Sequence, residues 1–392
     1  MDFNKIDRSR RYKLAGLLKK NGFDRWRISA SAISSITGEE HSFFIEFYVV
    51  NPALSPEKPV LGFKSRLPKT DTDLLYALAG TESEKPLLTE EFVQPSFVMV
   101  KAGMLSVNGK QLNAYFPCAS LVADTPEYIL KVGSTERDTC YIKDNATSGC
   151  ISVSAADLLE KPELLGNAGT IAWNLHYSIE DSFFPNFRSK LMNWACFGAR
   201  TAIAGVIVLD GEQFNVNRDR SYGYFDKNWG RGFTNPFLHL SSSNLVSNIS
   251  GKKLLKSCFA IQGEYNKRLS ILTSFEGTKL EFHAGGCRKY NTIYECNQMP
   301  EDENGVRLHW SVSMNNRNYI IDVDIMCNAN QMFVRDYECP EGNRKVMKLI
   351  GGGSGTGEVK IYRRVRKALE LIEDMHVGNC LCEYGTIENA PQ

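Results

Sequence analysis

The sequence predicts a mainly β protein in which antiparallel sheets are closed into barrels or stacked as sandwiches, with a few short helices. Short segments rich in β-branched and aromatic residues recur at roughly ten-residue spacing along the chain. Turn signals such as Asn108-Gly109, Asp210-Gly211 and Glu276-Gly277 separate these segments. Helical windows between them are few, so α/β architectures with alternating strands and helices are excluded.

The predicted strands alternate apolar and polar residues or are continuously apolar. They include residues 43–50, 111–116, 127–132, 169–178, 202–209, 257–263, 269–275, 306–314, 319–326 and 346–350. In the strand 169–178, a period of two places Trp173 and Leu175 on one face and Asn174 and His176 on the other. One of these faces is expected to line a barrel.

Four segments are predicted to be helical: residues 8–21, 155–159, 187–197 and 365–375. The first carries Leu14, Leu17 and Leu18 at helical spacing among basic residues. This pattern is compatible with packing against a barrel end, and also with peripheral contact between residues 8–21 and a membrane surface where a lipid is collected. The apolar face of 187–197 suggests a plug or linker against a barrel.

The length of 392 residues exceeds what one core usually supports, so two domains are expected. The helical stretch near residue 187 and the connection 232–236 are competing boundaries. We place the division at the second, giving domains 1–235 and 236–392, because each half then retains enough strands to close. Residues 52–59 and 79–88 are predicted loops at a barrel mouth.

The glycine-rich run 351–357, GGGSGTG, resembles a phosphate-binding loop only superficially. It lacks the terminal Lys-Ser/Thr, and a strand-like segment rather than a helix follows it. We therefore predict a flexible hairpin turn.

Composition and charge restrict the classes of molecule that the protein is expected to bind. Lys plus Arg (46) balance Asp plus Glu (45), so no overall field favours nucleic acid or anionic membrane. No apolar region of signal-peptide type opens the chain, and no window is long and apolar enough to span a membrane, so we expect a soluble, cytoplasmic protein of unspecified oligomeric state. The eleven cysteines are odd in number and are expected to be free thiols.

No cofactor is predicted, because the sequence lacks a nucleophile elbow, a zincin helix and a dinucleotide fingerprint. No structural metal is predicted either. Cys287, Cys296, Cys327 and Cys339 lack the two-residue spacing common in zinc sites. Once these motifs are excluded, the chemistry that remains for a site is acid–base and electrostatic catalysis in a cavity without water.

The segment 222–244, YGYFDKNWGRGFTNPFLHLSSSN, carries the densest chemistry. It is predicted to be strand, loop and strand, with Asp226 to Trp229 in the loop. Tyr224, Lys227, Asn228 and Trp229 are candidate substrate-binding residues for a ligand that is mostly apolar with one polar end. A tight structural connection, with Asp226 accepting local N–H groups, is the alternative.

The same segment resembles the signature of the tocopherol cyclase-like proteins, in which an acidic residue, an Asn-Trp-Gly step and an aromatic stretch ending near Asn follow one another. Weaker resemblances fall in the family's order at residues 23–27, 43–48, 172–175 and 382–385. Arg25-Trp26-Arg27 stands where the family has Gly-Trp-Tyr. The resemblance implies two lipocalin-like barrels in tandem, an architecture similar to that of carotenoid hydratases and fungal Diels–Alderases.

The resemblance also implies proton transfer to an alkene of a hydrophobic prenylated aromatic or polyene. A carboxylic acid kept protonated by burial can supply the proton, and indole faces can stabilise a carbocation. Asp226 is the candidate acid, with Trp26, Trp173 and Trp229 as candidate walls. Lys227 would hold Asp226 ionised unless a strand places the two side chains on opposite faces.

His239 is the candidate proton relay, and a histidine satisfied by backbone carbonyls in a barrel wall is the alternative. Glu46, among four aromatic residues, either faces solvent or lies in a pocket with a raised pKa, and it is the last candidate substrate-binding residue. Two functions follow. One is a cofactor-independent cyclase, isomerase or hydratase; the other is a lipocalin-like carrier that binds a hydrophobic metabolite unchanged.

Overall fold

The computed structural model describes residues 8–62, 93–135, 137–160, 166–189, 191–265, 267–285, 289–303, 305–343 and 345–389. Two large antiparallel sheets account for most of these residues, so the predicted mainly β class is confirmed. No helix in the described ranges has the length and apolar character needed to cross a bilayer. The predicted loop 79–88 and Cys287 lie outside the described residues.

The first sheet contains twelve strands. They are β1 Phe23–Ser34, β2 Glu40–Val50, β3 Phe97–Leu105, β4 Gln111–Phe116, β5 Val122–Ala123, β6 Leu130–Val132, β7 Cys140–Ile142, β8 Ala146–Val153, β9 Gly169–Arg188, β10 Met192–Leu209, β11 Glu212–Val216 and β12 Gly223–Gly230. The hydrogen-bonded order is β4-β3-β2-β1-β11-β10-β9-β8-β7-β6-β5, and β12 pairs with both β1 and β10. Because β4 also lies beside β8, the sheet curls on itself.

The second sheet contains eleven strands. They are β13 Phe237–Ser242, β14 Asn244–Ser247, β15 Cys258–Tyr265, β16 Arg268–Phe275, β17 Thr278–Phe282, β18 Asn291–Gln298, β19 Arg307–Asn315, β20 Tyr319–Asn328, β21 Met332–Glu338, β22 Lys345–Val365 and β23 Ala368–Asn389. The chain passes from one sheet to the other between Gly230 and Phe237. That the halves 1–235 and 236–392 are separate domains stays a prediction.

Tight turns set the register of several hairpins. Asp210 and Gly211, between β10 and β11, have φ angles of 51° and 88°, and Glu276 and Gly277, between β16 and β17, have 41° and 91°. Two consecutive residues with positive φ match the twist of the flanking strands, which is why these dipeptides are typical of hairpins. Both turn predictions are confirmed.

Helices are short. The predicted helix near 155–159 is confirmed as α1, Ala155–Glu160, and single 3-10 turns occupy Gly16–Lys19, Cys118–Ser120, Arg218–Arg220 and Ala329–Gln331. The predicted helix 187–197 is wrong, because it falls on the end of β9 and the start of β10. The predicted helix 365–375 is also wrong, because Val365 pairs with Ala368 at the hairpin that joins β22 to β23.

The predicted helix 8–21 is not continuous. Residues 8–10 are helical, an extended stretch follows, and the 3-10 turn comes after it. Leu14 is buried in the first core, whereas Leu17 is 75% exposed. The Tyr12 ring stacks on Trp26 at a centroid distance of 6.3 Å, so this stretch covers one end of the first sheet. Membrane contact through it stays a prediction.

Three apolar cores organise the molecule. One lies on the inner face of the first sheet, around Trp26, Phe47 and Trp173. Another lies on the inner face of the second sheet, around Trp310 and Val359. The third contains residues of both sheets, including Phe44, Trp194, Phe237 and Leu349, and so fills the space between them. Alternation along each strand therefore gives one face to a sheet's own core and the other to the space between the sheets.

Candidate site between the two sheets

Asp226 lies in β12 rather than in a loop, which corrects the prediction for residues 226–229. The strand continues without a break from Gly223 to Gly230 and pairs with β1 and β10. Polar residues can occupy this strand because its side chains on both faces have charged or hydrogen-bonding partners. Asp226 faces the space between the sheets, and Lys227 faces the first core. The two side chains therefore lie on opposite faces of the strand, as a role for Asp226 as acid requires.

A row of alternating charges crosses four adjacent strands of the first sheet. Asp226 on β12 is the Cα partner of Arg27 on β1, Arg27 is the partner of Glu46 on β2, and Glu46 is the partner of Lys101 on β3. Directly opposed side chains on one face of antiparallel strands are close enough to interact. All four are buried, so we call this set the charge row.

The carboxylate of Asp226 accepts hydrogen bonds from three side chains. Arg27 donates from Nε at 3.2 Å and from Nη2 at 2.7 Å. Trp194 Nε1 and the Tyr224 hydroxyl each donate at 2.9 Å. Every partner of this carboxyl group is a hydrogen-bond donor, and one of them is a guanidinium, so the strongest of these bonds are charge-assisted.

The second sheet contributes Glu383 from β23 and Arg335 from β21. Arg27 Nη1 and Arg335 Nη2 each donate to one oxygen of Glu383. Arg335 Nη1 also donates to Glu46 Oε1 at 3.0 Å, and Arg25 Nη2 donates to the same oxygen at 2.6 Å. These bonds join the two sheets through ion pairs that are shielded from solvent.

The pKa values of the carboxyl groups reflect these partners. Burial alone would raise the pKa of Glu46, but the guanidinium groups of Arg25 and Arg335 and the Lys101 ammonium lower it to about 2. Burial likewise opposes ionisation of Glu383, yet Arg27 and Arg335 hold its pKa below the ordinary value. The expectation that Glu46 faces solvent or has a raised pKa is therefore wrong, because several cations surround it.

Gly351 makes room for the ion pair between Arg335 and Glu383. A Cβ atom at this position would lie 2.5 Å from Arg335 Nη2 and 2.9 Å from Glu383 Cγ. The neighbouring Gly353 carbonyl accepts a hydrogen bond of 3.0 Å from Ser42 Oγ of the first sheet. The glycine run 351–357 therefore lies inside β22, and the predicted flexible turn is wrong because the close approach of the two sheets requires residues without side chains here.

His239 is buried on β13, where it is the Cα partner of Gln262 on one side and Glu383 on the other. Its Nδ1 lies 3.1 Å from Gln262 Oε1 and its Nε2 lies 2.9 Å from Ser241 Oγ. Burial, with a further contribution from Arg27, lowers its pKa well below the ordinary value, so the ring is neutral at neutral pH. Its polar partners are side chains rather than the backbone carbonyls considered above. A role as proton relay stays a prediction.

Lys227 and Trp26 belong to the first core. Lys227 Nζ lies 2.9 Å from Asp24 Oδ2 and 3.9 Å from the centroid of the Trp26 ring. Burial raises the pKa of Asp24 to about 6, although Lys227 and Lys13 lower it, and burial also lowers the pKa of Lys227 to about 8. Trp229 is partly buried against the same core.

The remaining predicted residues lie in different places. Trp173 is buried in the first core and its Nε1 donates to Thr147 Oγ1 at 3.1 Å. Asn228 is buried on the same face of β12 as Asp226, and its Nδ2 donates to the Asn193 carbonyl at 3.4 Å. The structure thus brings together Glu46, Tyr224, Asp226 and His239 between the sheets, whereas Trp26, Trp173, Lys227 and Trp229 lie on the opposite face of the first sheet.

A cavity of about 170 Å³ lies next to the Lys101 end of the charge row. Its lining residues come from both sheets: Phe97, Met99, Lys101, Gln111, Asn113, Tyr115, Gly166, Val334, Asp336 and Glu338. Lys101 is 1% exposed, and its Nζ donates to the Asp336 carbonyl at 3.2 Å. Burial lowers the pKa of Lys101 to about 7, with Glu46 opposing this change and Arg335 adding to it.

Five charged residues of this site were missed in the sequence: Arg25, Arg27, Lys101, Arg335 and Glu383. Arg27 lies in β1, next to Trp26. The alternation of Arg25 and Arg27 around this tryptophan was the sequence pattern that could have identified the two arginines as buried charges. A charge at every second residue of a buried strand indicates a partner sheet on that face. Nothing local in the sequence identifies Glu383 as the partner, because it lies 356 residues from Arg27.

The described part of the chain contains no group of three or more His, Cys, Asp or Glu side chains placed to hold a metal ion. Its ten cysteines are free thiols, as expected, and eight of them are buried.

In comparisons with known proteins, similarity is found among solved structures. No protein-family model matches the chain, and no curated protein sequence matches it. The crystal structure of an AttH-like protein, NE1406 from Nitrosomonas europaea, is similar with 10% identity and a TM-score of 0.45, covering 93% of this chain and 92% of that one. The crystal structure of kievitone hydratase from Nectria haematococca is similar with 11% identity and a TM-score of 0.40, covering 95% of this chain and 92% of that one.

Proposed function

We propose that this chain is an enzyme that transfers a proton, without a cofactor, to or from a hydrophobic prenylated aromatic or polyene whose reacting end is held between the two sheets. The reaction would be a cyclisation, an isomerisation or a hydration. The observation that carries the proposal is the position of Lys101, which ends a buried row of alternating charges and lines a cavity with apolar and polar walls. Buried titratable groups beside a cavity are typical of functional sites.

Lys101 suits proton transfer because its pKa of about 7 leaves both the ammonium and the amine populated at neutral pH. A group with a pKa near the working pH can donate and accept protons efficiently. The Asp336 carbonyl accepts a hydrogen bond of 3.2 Å from Nζ, and the Tyr337 ring centroid lies 4.4 Å from the same atom. Phe97, Met99 and Tyr115 supply apolar surface for the substrate.

Asp226 has a different part in this proposal from the one expected in the sequence. Its oxygens accept hydrogen bonds from Arg27, Trp194 and Tyr224, and Asp226 does not line the cavity. We therefore assign Asp226 to the positioning of Arg27, which in turn contacts Glu383. The role of Asp226 as acid remains the competing prediction, and the variant described below separates the two.

Binding without turnover is the second candidate function. It is favoured by the mutual pairing of the carboxylates of Glu46, Asp226 and Glu383 with arginines, because such pairs can join two sheets without taking part in chemistry. A carrier would return its ligand chemically intact.

The first experiment is native mass spectrometry of the purified protein, followed by solvent extraction. The mass of a co-purifying molecule defines a substrate panel, and incubation with that panel shows whether a product forms. Ligand recovered intact with one molecule bound per chain supports the carrier and contradicts the enzyme.

The second experiment measures turnover in Lys101→Met and Asp226→Asn. Lys348→Met is the matched control, because this lysine of β22 is partly exposed and pairs with Glu388 away from the cavity. We expect Lys101→Met to lower kcat by about 100-fold or more, the usual contribution of a general acid or base. The pH dependence of kcat near 7 should also disappear. Unchanged turnover in Lys101→Met would remove Lys101 from the reaction, and a loss confined to Asp226→Asn would restore Asp226 as the acid.

A further inference from the structure

We propose that Lys101 is also a nucleophile, which forms an imine with an aldehyde or ketone whose carbonyl-bearing part is about the size of one ring. The inference goes beyond the proposed proton transfer. It depends on the cavity and on the amine, and it does not require that the bound molecule be turned over. The geometry of Lys101, the size of the cavity and the position of Gln111 support it.

The Lys101 amine is held loosely compared with its neighbours. Its hydrogen bond to the Asp336 carbonyl is 3.2 Å long. Among the described residues no carboxylate forms an ion pair with Nζ, because Arg25, Arg335 and Tyr337 take the hydrogen bonds of the adjacent Glu46 carboxylate. An amine without an ion pair can leave its single acceptor and turn towards a ligand.

The surroundings also favour the reactive form of the amine. Only the neutral amine adds to a carbonyl, and lysines become nucleophilic when they are desolvated or placed near another cation. Lys101 has both features, since it is buried and the charges of Arg335 and Arg25 disfavour its ammonium form. Burial therefore shifts Lys101 towards the neutral amine at neutral pH.

The cavity limits the size of the carbonyl compound. Its volume of about 170 Å³ is close to the roughly 150 Å³ of an engineered cavity that binds benzene, so one ring fits. The Phe97 and Tyr115 rings, 5.1 Å apart at their centroids, form an apolar wall. A planar or chair-shaped ring with an attached carbonyl matches this space.

Gln111 provides the polar group that the addition step needs. Its side chain is 8% exposed and lines the cavity, and its Oε1 has no hydrogen-bond donor among the described residues. A buried acceptor without a partner is costly, and a hydroxyl in the cavity would satisfy it. The intermediate of imine formation has such a hydroxyl.

The chemistry balances without an oxidant or a reductant. The Nζ lone pair adds to the carbonyl carbon, the π electrons move to oxygen, and one proton passes from nitrogen to that oxygen to give a carbinolamine. Gln111 Oε1 accepts the hydrogen bond of the new hydroxyl. The nitrogen lone pair then forms the C=N bond while the hydroxyl takes a proton from solvent and leaves as water.

The test is reductive trapping on the full chain. Benzaldehyde and cyclohexanone serve as probes, sodium borohydride reduces any imine, and peptide mass spectrometry locates the modified lysine. At pH 7 we expect Lys101 to be labelled about 100-fold faster than exposed lysines, whose amines are almost wholly protonated. The labelling rate of Lys101 should rise with a midpoint near pH 7.

Three variants complete the experiment. Lys101→Arg keeps the positive charge and should lose the adduct, whereas Lys348→Met should retain it. Gln111→Met keeps the apolar volume and should slow labelling about tenfold, the effect of one hydrogen bond. Labelling of the parent protein that is spread over surface lysines without preference for Lys101 would overturn the inference, whatever the variants do.

The outcomes also separate this inference from the proposed function. Adduct formation at Lys101 without any turnover of the substrate panel supports the imine and contradicts the proton-transfer enzyme. Turnover that depends on Lys101 with no trapped adduct supports the enzyme and overturns the imine.

Discussion

The two faces of the first sheet bury charges in opposite ways. On the face between the sheets, Glu46 contacts two guanidinium groups and its pKa falls to about 2. On the face towards the first core, Asp24 forms an ion pair with Lys227, and burial raises its pKa to about 6. Both carboxyl groups are fully buried. The number and geometry of the cations, rather than the depth of burial, therefore decide which protonation state is favoured.

Removal of Glu383 tests the face between the sheets most severely. Glu383→Gln would leave Arg27 and Arg335 buried with fewer anionic partners, and we expect the free energy of unfolding to fall by about 3–5 kcal/mol. Urea denaturation followed by tryptophan fluorescence measures this change. Glu388→Gln, at an exposed position of the same strand, is the control and should unfold at the parent's urea concentration. An equal shift in both variants would show that the burial of Glu383 has no energetic consequence.

The pH dependence of stability should have opposite signs on the two faces. The folded pKa of Glu46 is below its ordinary value of 4.5, so its stabilising contribution is complete above pH 4.5 and is lost as the pH falls towards 2. The folded pKa of Asp24 is above its ordinary value of 3.8, so ionisation of Asp24 lowers stability as the pH rises from 3.8 to about 6. Each difference is on the order of 3 kcal/mol.

The measurement is the difference in unfolding free energy between the parent and Glu46→Gln, and between the parent and Asp24→Asn, over a series of pH values. Difference curves with the same sign would contradict the comparison.

Gly351→Ala tests the packing that the ion pairs require. The added methyl group would meet Arg335 Nη2 and Glu383 Cγ, and overpacking of this kind costs about 1–3 kcal/mol. Gly232→Ala is the matched control, because its nearest neighbour is a flexible leucine side chain at 3.1 Å. In an Arg335→Met background, the cost of Gly351→Ala should shrink, and a cost that is independent of residue 335 would point to the backbone instead.

The smallest effect is expected on the other face. Replacement of both members of the Asp24–Lys227 pair by Asn and Met removes two buried charges together, and such exchanges are often neutral or stabilising. We expect the double variant to unfold within about 1 kcal/mol of the parent at pH 7. A loss as large as that of Glu383→Gln would show that the two faces do not differ in the way described above.

Much of the fold was predictable from the sequence because strand alternation and turn residues act locally. Residues 111–116 were predicted and occur as β4, and the Asp210-Gly211 and Glu276-Gly277 turns join the expected strands. The helical reading of 187–197 failed because helical spacing of apolar residues also arises in a hairpin. Phe187 and Trp194 are there Cα partners on adjacent strands. Pairing with neighbouring strands overrides the local pattern.

The site was predictable only in part. Asp226, Tyr224, Glu46 and His239 were identified and lie between the sheets, but the stretch 226–229 was taken for a loop because its polar residues resemble turn chemistry. The partners that bury those polar groups come from distant strands, such as Glu383 and Arg335, and no local pattern reveals them. Lys101 was missed because the cavity that it lines exists only once both sheets are assembled, and the charge row exists only once four strands of the first sheet have paired.

The bond between Arg27 and Glu383 joins the first strand of the chain to the last, across 356 residues. During synthesis, at about 5–20 residues per second, the arginine emerges from the ribosome roughly 20 to 70 s before Glu383. Until then, Arg27 can pair with Asp226 of its own sheet but not with the carboxylate of the second sheet. The junction between the two sheets can therefore be completed only after β23 has left the ribosome.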